Sequence, residues 1–230
     1  MSHKIVHSTD PVTLVGGGQA TSADLQEIVG FAPQCVAADG GVALALAAGI
    51  DPVAVIGDFD SIPQDILARI PAERQHRVAE QATTDFEKAL TRIDAPLVIG
   101  VGFTGGRVDH QLAAFHSLLA QAQQPCILLA DHEIVLLAPP RITIPCVVGD
   151  VVSLFPLVQT QGASTGLEWP IDGLDFAAGT FVGTSNRATG PVTLRMERAG
   201  MLLIVSRRFI RPLAAQLTLS GRAQWPARAV

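Results

Sequence analysis

The feature that most constrains the fold is an alternation, between residues 12 and 131, of short apolar runs with segments of helical length. The runs cover residues 12–15, 35–38, 53–56, 97–101 and 127–130. Almost wholly apolar runs of this length are typical of strands buried on both faces of a parallel sheet. Amphipathic segments at 22–29, 41–48, 84–92 and 109–123 separate them. We therefore predict an α/β fold with an N-terminal Rossmann-like, mostly parallel sheet and flanking helices.

The pattern changes after Pro139 and Pro140. Strand candidates at 147–155, 180–182, 192–197 and 201–206 follow one another, separated by turns that contain Gly, Pro and Asn. We interpret this half as strands only, forming a C-terminal all-β sandwich. The predicted boundary divides the chain into an α/β domain at 1–139 and a β domain at 140–230.

Composition narrows the class of protein. Apolar residues make up 48% of the 230 residues and charged residues 16%, so the chain has enough apolar side chains to bury a core. The net charge of -5, with no dense basic cluster beyond residues 207–211, predicts that nucleic acid is not a partner. No stretch reaches the roughly 18 uninterrupted apolar residues of a membrane helix, and the N-terminus lacks the apolar core of a signal peptide. We therefore expect neither membrane association nor export.

The three cysteines, Cys35, Cys126 and Cys146, are odd in number and far apart in the sequence. Two of them lie in apolar, strand-like runs, which favours buried free thiols over a disulfide framework or a metal site. This use of cysteine predicts a reducing, cytoplasmic setting.

Carboxylates follow two of the predicted strands. Asp39 comes directly after the run 35–38, and Asp58 and Asp60 come after the run 53–56. Ligands of open α/β sheets gather outside the carboxyl ends of the strands, so these acids mark a candidate site. Asp58 and Asp60 would project to one side if the strand continued, and a hard cation such as Mg²⁺ prefers such oxygen ligands. The alternative is that these aspartates only form turns, where Asp is common.

A second polar group begins the predicted helix 84–92. Thr84 and Glu87 have the spacing of a capping box, which favours a structural role for Glu87. Asp85 and Lys88 lie on one helical face in the first turn, where Lys88 could reach a phosphate. The alternative is an ordinary surface ion pair.

A glycine-rich turn, Gly-Phe-Thr-Gly-Gly-Arg-Val-Asp-His at 102–110, precedes the last predicted helix of this half. Its glycines allow the backbone to approach a ligand closely. Arg107 has the planar fork that suits phosphate oxygens. Asp109 is either the N-cap of the following helix or a member of the site.

Four blocks, taken in this order, resemble the thiamine pyrophosphokinase family: Asp-Gly-Gly at 39–41, Gly-Asp-Phe-Asp-Ser-Ile at 57–62, Thr-Asp-Phe-Glu-Lys-Ala-Leu at 84–90 and Gly-Gly-Arg-Val-Asp-His at 105–110. Two later segments, Thr-Gly-Leu-Glu-Trp-Pro at 165–170 and Gly-Thr-Ser-Asn at 183–186, are similar to markers of the family's C-terminal β domain. The resemblance implies Mg²⁺-dependent transfer of a pyrophosphoryl group from ATP to the hydroxyl of thiamine, giving thiamine diphosphate and AMP. It also implies a homodimer with the thiamine site at the subunit interface.

The resemblance further implies a role for each matching residue. The catalytic group would be Asp58, Asp60, Asp85, Lys88 and Arg107, with the three aspartates holding Mg²⁺. ATP would be bound by Asp39, Gly40, Lys88, Gly106, Arg107 and Asp109. Thiamine would be bound by Trp169, Ser185 and Asn186, with its ring stacked on the indole.

One position departs from the family pattern. Many members carry another aspartate three residues before the one matched by Asp85, and this chain has Ala82 there. Either the remaining acids suffice, or Glu80 substitutes, or catalysis is slower. Two alternative functions stay open: a non-catalytic nucleotide- or thiamine-binding module, and a pyrophosphokinase or phosphohydrolase that acts on another small acceptor.

Overall fold

The computed structural model describes residues 3–80, 82–219 and 225–226. It has the mixed α/β fold that the sequence predicts. The chain divides into two compact units, the first made of Met1–Ser117 and Leu128–Asp131 and the second of Leu118–Ile127 and His132–Val230. Within the described ranges, no helix combines the length and apolar character that crossing a membrane requires. Cys35, Cys126 and Cys146 are buried free thiols, as predicted.

The first unit is built from parallel strands and short helices. Its strands are β1 (Val6–His7), β2 (Val12–Val15), β3 (Gln34–Ala38), β4 (Ala54–Gly57), β5 (Gln75–Arg77), β6 (Ile93–Asp94) and β7 (Val98–Val101), and β8 (Cys126–Leu129) is shared with the second unit. Its helices are α1 (Ser22–Val29), α2 (Gly41–Ala47), α3 (Gln64–Leu67), α4 (Asp85–Leu90) and most of α5 (Val108–Ala120). A 3₁₀ turn at Ala72–Arg74 follows α3. The registers β1–β6, β2–β7, β3–β4 and β4–β5 are all parallel.

Burial explains why the apolar runs become strands. All four residues of β2, β4 and β7 are buried, so each of these strands is covered on both faces. Helices α1 and α4 begin at side-chain caps. Thr21 accepts a hydrogen bond from the Asp24 N–H, and the Asp24 carboxylate accepts one of 2.8 Å from the Thr21 N–H, which completes a capping box at α1.

The second unit consists mainly of antiparallel strands. These are β9 (Glu133–Leu137), β10 (Arg141–Ile144), β11 (Val151–Pro156), β12 (Gly162–Leu167), β13 (Gly183–Met196) and β14 (Met201–Ser206), followed by a 3₁₀ turn at Arg207–Phe209 and α6 (Ile210–Leu219). The long strand β13 pairs with β10, β11 and β12, and β14 pairs with β11 and β9. All of these registers are antiparallel.

The prediction of strands alone in the second half is wrong. Helix α6 buries Leu213, Ala214 and Leu217 at helical spacing, and Pro212 lies in its first turn, where proline is tolerated. Residues 180–182 are also not a strand. They contribute only an isolated bridge between Ala177 and Phe181, since β13 begins at Gly183.

Candidate active site

Two neighbouring parallel strands bring the predicted acids together. In the register of β3 and β4, Ala38 lies opposite Ile56, so both strands end at the same edge and the aspartates follow there. One carboxylate oxygen from each of Asp39, Asp58 and Asp60 lies within 4.8 Å of the others. Asp39 and Asp58 are buried, whereas Asp60 is exposed. This acidic cluster has the spacing and the oxygen donors that could hold a metal ion.

The backbone of the cluster adopts an unusual conformation. Asp39 and Phe59 have φ angles of 44° and 69°, a left-handed region that residues other than glycine seldom occupy. Hydrogen bonds hold it in place. The Phe59 N–H donates to Oδ1 of Asp39 at 2.8 Å, and the Ser61 hydroxyl donates to Oδ2. Gly57 is required here, because a Cβ atom at this position would lie 2.6 Å from Oδ1 of Asp39.

Lys88 joins the acidic cluster to helix α4. The helix begins at Thr84, whose side chain accepts a 3.3 Å hydrogen bond from the Glu87 N–H. Lys88 lies one turn later, and its Nζ donates to Oδ2 of Asp58 at 2.7 Å and to Oδ1 of Asp85 at 3.0 Å. The lysine side chain is only 3% exposed. The Asp85–Lys88 pair is therefore buried at its lysine end and reaches a third group 30 residues away.

These contacts set the charge states of the cluster. The hydrogen bond from Lys88 lowers the pKa of Asp58, so this carboxylate stays ionised. The hydrogen bond and the negative charge of Asp58 in turn raise the pKa of Asp60. Burial raises the pKa of Asp85. Burial alone would lower the pKa of Lys88, but its hydrogen bonds to Asp58 and Asp85 outweigh it and the pKa is raised. Negative charge is thus crowded at Asp60, where an added cation would relieve the repulsion.

Replacing Asp60 by asparagine is expected to raise the melting temperature at neutral pH when divalent cations are absent. The raised pKa means that the folded state binds the proton more tightly than the unfolded state does. Ionised Asp60 therefore lowers stability at neutral pH, and the loss is relieved as the pH falls through the raised pKa toward the ordinary 3.8. The melting temperatures of the variant and the wild type should converge as the pH is lowered to about 4. A variant that melts below the wild type at neutral pH would contradict this account.

Arg107 and Asp109 form a separate exposed pair at the start of α5. Nη2 of Arg107 donates to Oδ2 of Asp109 at 2.6 Å and Nε donates to Oδ1 at 3.1 Å. The hydrogen bond from Arg107 lowers the pKa of Asp109 to about 2. Because α5 begins at Val108, Asp109 is its second residue and not its N-cap. The Asp109 carboxylate accepts hydrogen bonds from the adjacent His110 N–H and from Arg107. Gly106, just before the pair, has a φ of 69°.

The residues matched to thiamine binding lie in the second unit, at β12 and β13. Trp169 follows β12 and is 55% exposed. Ser185 is exposed and has a φ of 62°, at a register shift between β11 and β13 where β13 carries an extra residue. Asn186 is buried and hydrogen-bonded to the main chain of Trp169. The structure therefore places Asn186 next to Trp169, with the indole and the Ser185 side chain at the surface.

Some contacts at the acidic cluster have little or no signal in the sequence. Arg77, on β5, donates from Nε to the main-chain oxygen of Asp58 at 3.2 Å, and nothing in the sequence marks it. Ser61 has a weak signal, because it directly follows the strand-end acids. The metal prediction names Asp85 and leaves out Asp39, whereas the three close carboxylates include Asp39. Glu80, the possible substitute for the acid missing at position 82, accepts a hydrogen bond from the Thr83 hydroxyl.

Residues 25–130 match the thiamin pyrophosphokinase catalytic domain. This range contains the acidic cluster, Lys88 and Arg107. Over this range, which is just under half of its length, the chain is similar to the thiamine pyrophosphokinase family. Thiamine pyrophosphokinase 2 of Oryza sativa subsp. japonica is 27% identical over 177 residues, which cover 68% of this chain and 66% of the rice protein. Thiamin pyrophosphokinase 1 of Caenorhabditis elegans is 26% identical over 161 residues, which cover 60% of this chain and 63% of the worm protein.

The fold is also similar to that of a solved thiamin pyrophosphokinase. The crystal structure of thiamin pyrophosphokinase from Geobacillus thermodenitrificans superposes with a TM-score of 0.70 at 25% sequence identity, covering 85% of this chain and 97% of that one. The chain spans just under two thirds of the length of the curated rice and worm relatives that it matches. The likeness to this family therefore rests on residues 25–130 and on the similarity of the fold.

Proposed function

We propose that this protein is a thiamine diphosphokinase, which transfers a pyrophosphoryl group from ATP to the hydroxyl of thiamine and releases AMP. The observation that carries the proposal is the acidic cluster of Asp39, Asp58 and Asp60 at the ends of β3 and β4, with Lys88 bonded to Asp58. It lies within the range that matches the family's catalytic domain. Pyrophosphoryl transfer needs positioning of the triphosphate and dispersal of oxygen charge more than it needs a protein nucleophile.

The donor atoms of the cluster fit Mg²⁺. The group consists of carboxylates alone, without cysteine or histidine, and hard divalent cations prefer oxygen ligands of this kind. We propose Asp58 and Asp60 as the ligands, with Asp85 or Asp39 as the third acid. Bound Mg²⁺ would supply charge neutralisation and a template for the triphosphate.

The protein groups around the cluster have distinct proposed roles. Lys88 keeps Asp58 ionised and oriented through its 2.7 Å hydrogen bond. The Arg107 side chain is 71% exposed, so its fork can exchange Asp109 for phosphate oxygens at little desolvation cost. Gly40 and Gly106 let the backbone come close to ATP. In the reaction the thiamine hydroxyl releases its proton and its oxygen forms a bond to the β-phosphorus. The bond from that phosphorus to the oxygen it shares with the α-phosphate breaks, and AMP leaves with that oxygen.

We also propose the finer architecture that the family implies: a Rossmann-like ATP-binding domain at 1–139 and a β-sandwich thiamine-binding domain at 140–230. The parallel registers of the first unit and the antiparallel registers of the second support it. The free thiols support a cytoplasmic location. A homodimer is proposed as well, supported by the exposed Val147 and Val148 of the second unit. Light scattering should give about twice the chain mass of 24.1 kDa, and a monomeric mass would reject it.

The test of the proposed activity is direct. Purified protein is incubated with ATP, Mg²⁺ and thiamine, and AMP and thiamine diphosphate are quantified. Thiamine-dependent AMP is the expected product. A folded protein that binds thiamine but makes no AMP would be a binding module, and one that releases AMP with another alcohol as acceptor would be a different pyrophosphokinase.

Replacing Trp169 by alanine is expected to raise the KM for thiamine by about tenfold and leave the KM for ATP unchanged, because a cation–π contact with thiamine is worth roughly 0.5–2 kcal/mol. The indole is 55% exposed, so its loss should cost the fold little. Trp225→Phe is the matched control, since Trp225 donates from its indole N–H to the main-chain oxygen of Ala138. Equal increases in both KM values would show that Trp169 has a structural role instead.

A further inference from the structure

Asn186 is the only asparagine in the chain, and its side chain is bonded entirely to main-chain atoms. Oδ1 accepts from the Trp169 N–H at 3.2 Å and from the Arg187 N–H at 2.8 Å. Nδ2 donates to the main-chain oxygen of Trp169 at 2.7 Å. Exchanging the amide oxygen and nitrogen would point an NH₂ group at two N–H donors, so the partners fix the orientation.

These contacts continue a strand ladder with a side chain. In the β12–β13 register Leu167 lies opposite Ala188, and the Glu168 N–H then donates to the Arg187 oxygen at 2.8 Å. At the next residue, Trp169, the carboxamide of Asn186 replaces the main chain. It accepts from the N–H of Trp169 and donates to its C=O, as a peptide group of an antiparallel neighbour would.

The carboxamide has little capacity left for a ligand. Its three bonds use both lone pairs of Oδ1 and one of the two N–H groups of Nδ2. Asn186 is also only 7% exposed, whereas the Trp169 that it holds is 55% exposed. A buried polar group thus fixes the main chain that carries a large aromatic ring, and this ring is more than half exposed.

We propose that Asn186 is a positioning residue, which acts on thiamine through Trp169 by fixing the main chain that carries the indole. The inference rests on the proposed function for its substrate, and it changes the role that family resemblance implies for Asn186 from contact to support. A fixed indole loses less conformational freedom when a flat cationic ring stacks on it, and preorganisation of this kind improves affinity. The Ser185 hydroxyl, which is exposed, stays available to the ligand.

The first test follows Trp169 itself. The chain has two tryptophans, so Trp225→Phe leaves Trp169 as the single tryptophan. The fluorescence anisotropy of this variant then reports how ordered the Trp169 indole is. Asn186→Ala in this background is expected to lower the anisotropy, and Arg187→Ala, an exposed neighbour on β13, to leave it unchanged. Unchanged anisotropy in folded Asn186→Ala protein would overturn the proposal.

The second test separates support from direct contact. Asn186→Ala should raise the KM for thiamine by about tenfold, with the KM for ATP and kcat within about twofold. In a Trp169→Ala background the same change should add less than about twofold, because two residues that act through one contact are not additive. A full tenfold effect in that background would show that Asn186 contacts thiamine directly.

A measurement on the wild-type protein covers the case in which Asn186→Ala does not fold. The amide hydrogens of Trp169 and Arg187 should exchange with solvent more than about tenfold slower than unprotected amides. Free-amide rates at both would overturn the proposal. The anisotropy and exchange results hold whether or not the protein turns over thiamine, so failure of the proposed activity and failure of the Asn186 assignment are distinguishable.

Discussion

Replacing Asp58 by asparagine is expected to reduce thiamine-dependent AMP formation by about a hundredfold to a thousandfold, the range seen when one preorganised electrostatic group is removed from an active site. Asp58 lies in the acidic cluster and also receives the Lys88 hydrogen bond. Asparagine keeps the shape of the side chain but removes the charge that would hold a cation and pair with Lys88. The loss should therefore fall on kcat and on the concentration of Mg²⁺ that gives half-maximal rate.

The matched control is Asp65→Asn, which removes one carboxylate from the exposed helix α3 of the same unit. It should keep activity within about twofold, as surface substitutions away from a site usually do. Circular dichroism must show both variants folded at the assay temperature, since Asp58 also stabilises Lys88. Folded Asp58→Asn protein with nearly full activity would remove the acidic cluster from the mechanism.

Replacing Lys88 by methionine is expected to lower the free energy of unfolding by about 3 kcal/mol, because removing one member of a buried ion pair leaves its partners uncompensated. This loss of free energy is at the lower end of the range for buried ion pairs, because the pair is only partly buried. The lysine side chain is 3% exposed and that of Asp58 is 12% exposed, but Asp85 is 39% exposed and water screens its share. Chemical denaturation of wild type and variant measures the difference.

The pH dependence of this loss identifies its cause. Without Lys88 the pKa values of Asp58 and Asp85 in the folded variant should rise, so its folded state binds protons more tightly. The variant therefore regains stability relative to wild type as the pH falls through those raised values toward 3.8. Arg74→Met, which breaks the exposed pair with Asp51, is the control and should cost under about 1 kcal/mol. A Lys88→Met loss that is independent of pH would point to packing and not to charge.

The position of the acidic cluster could be predicted from the sequence because it depends on local rules. A run of buried apolar residues specifies each strand, and the parallel register puts the residues after β3 and β4 at one edge. The bounds of α1 and β14 are also those expected from periodicity and caps. Helix α6 was missed because its proline and its basic start hid a short apolar face.

The contacts of Lys88 and Asn186 could not be predicted in this way. Spacing places Asp85 and Lys88 on one face of α4, but only the packing of α4 against β3 and β4 decides that this face is buried against Asp58. The partners of Asn186 are main-chain atoms, which every residue has, so no residue pattern marks them. Both are long-range contacts, and a single sequence carries little information about those.

The burial of Lys88 has a consequence for how the protein is made in the cell. Its ammonium group is a counter-ion that is covalently part of the chain, so the aspartates at the strand ends are partly neutralised before any cation arrives. Zinc fingers, by contrast, cannot fold until their metal binds. We therefore expect newly made chains to reach the native state without Mg²⁺, so that loading of the proposed metal site is a separate, later event.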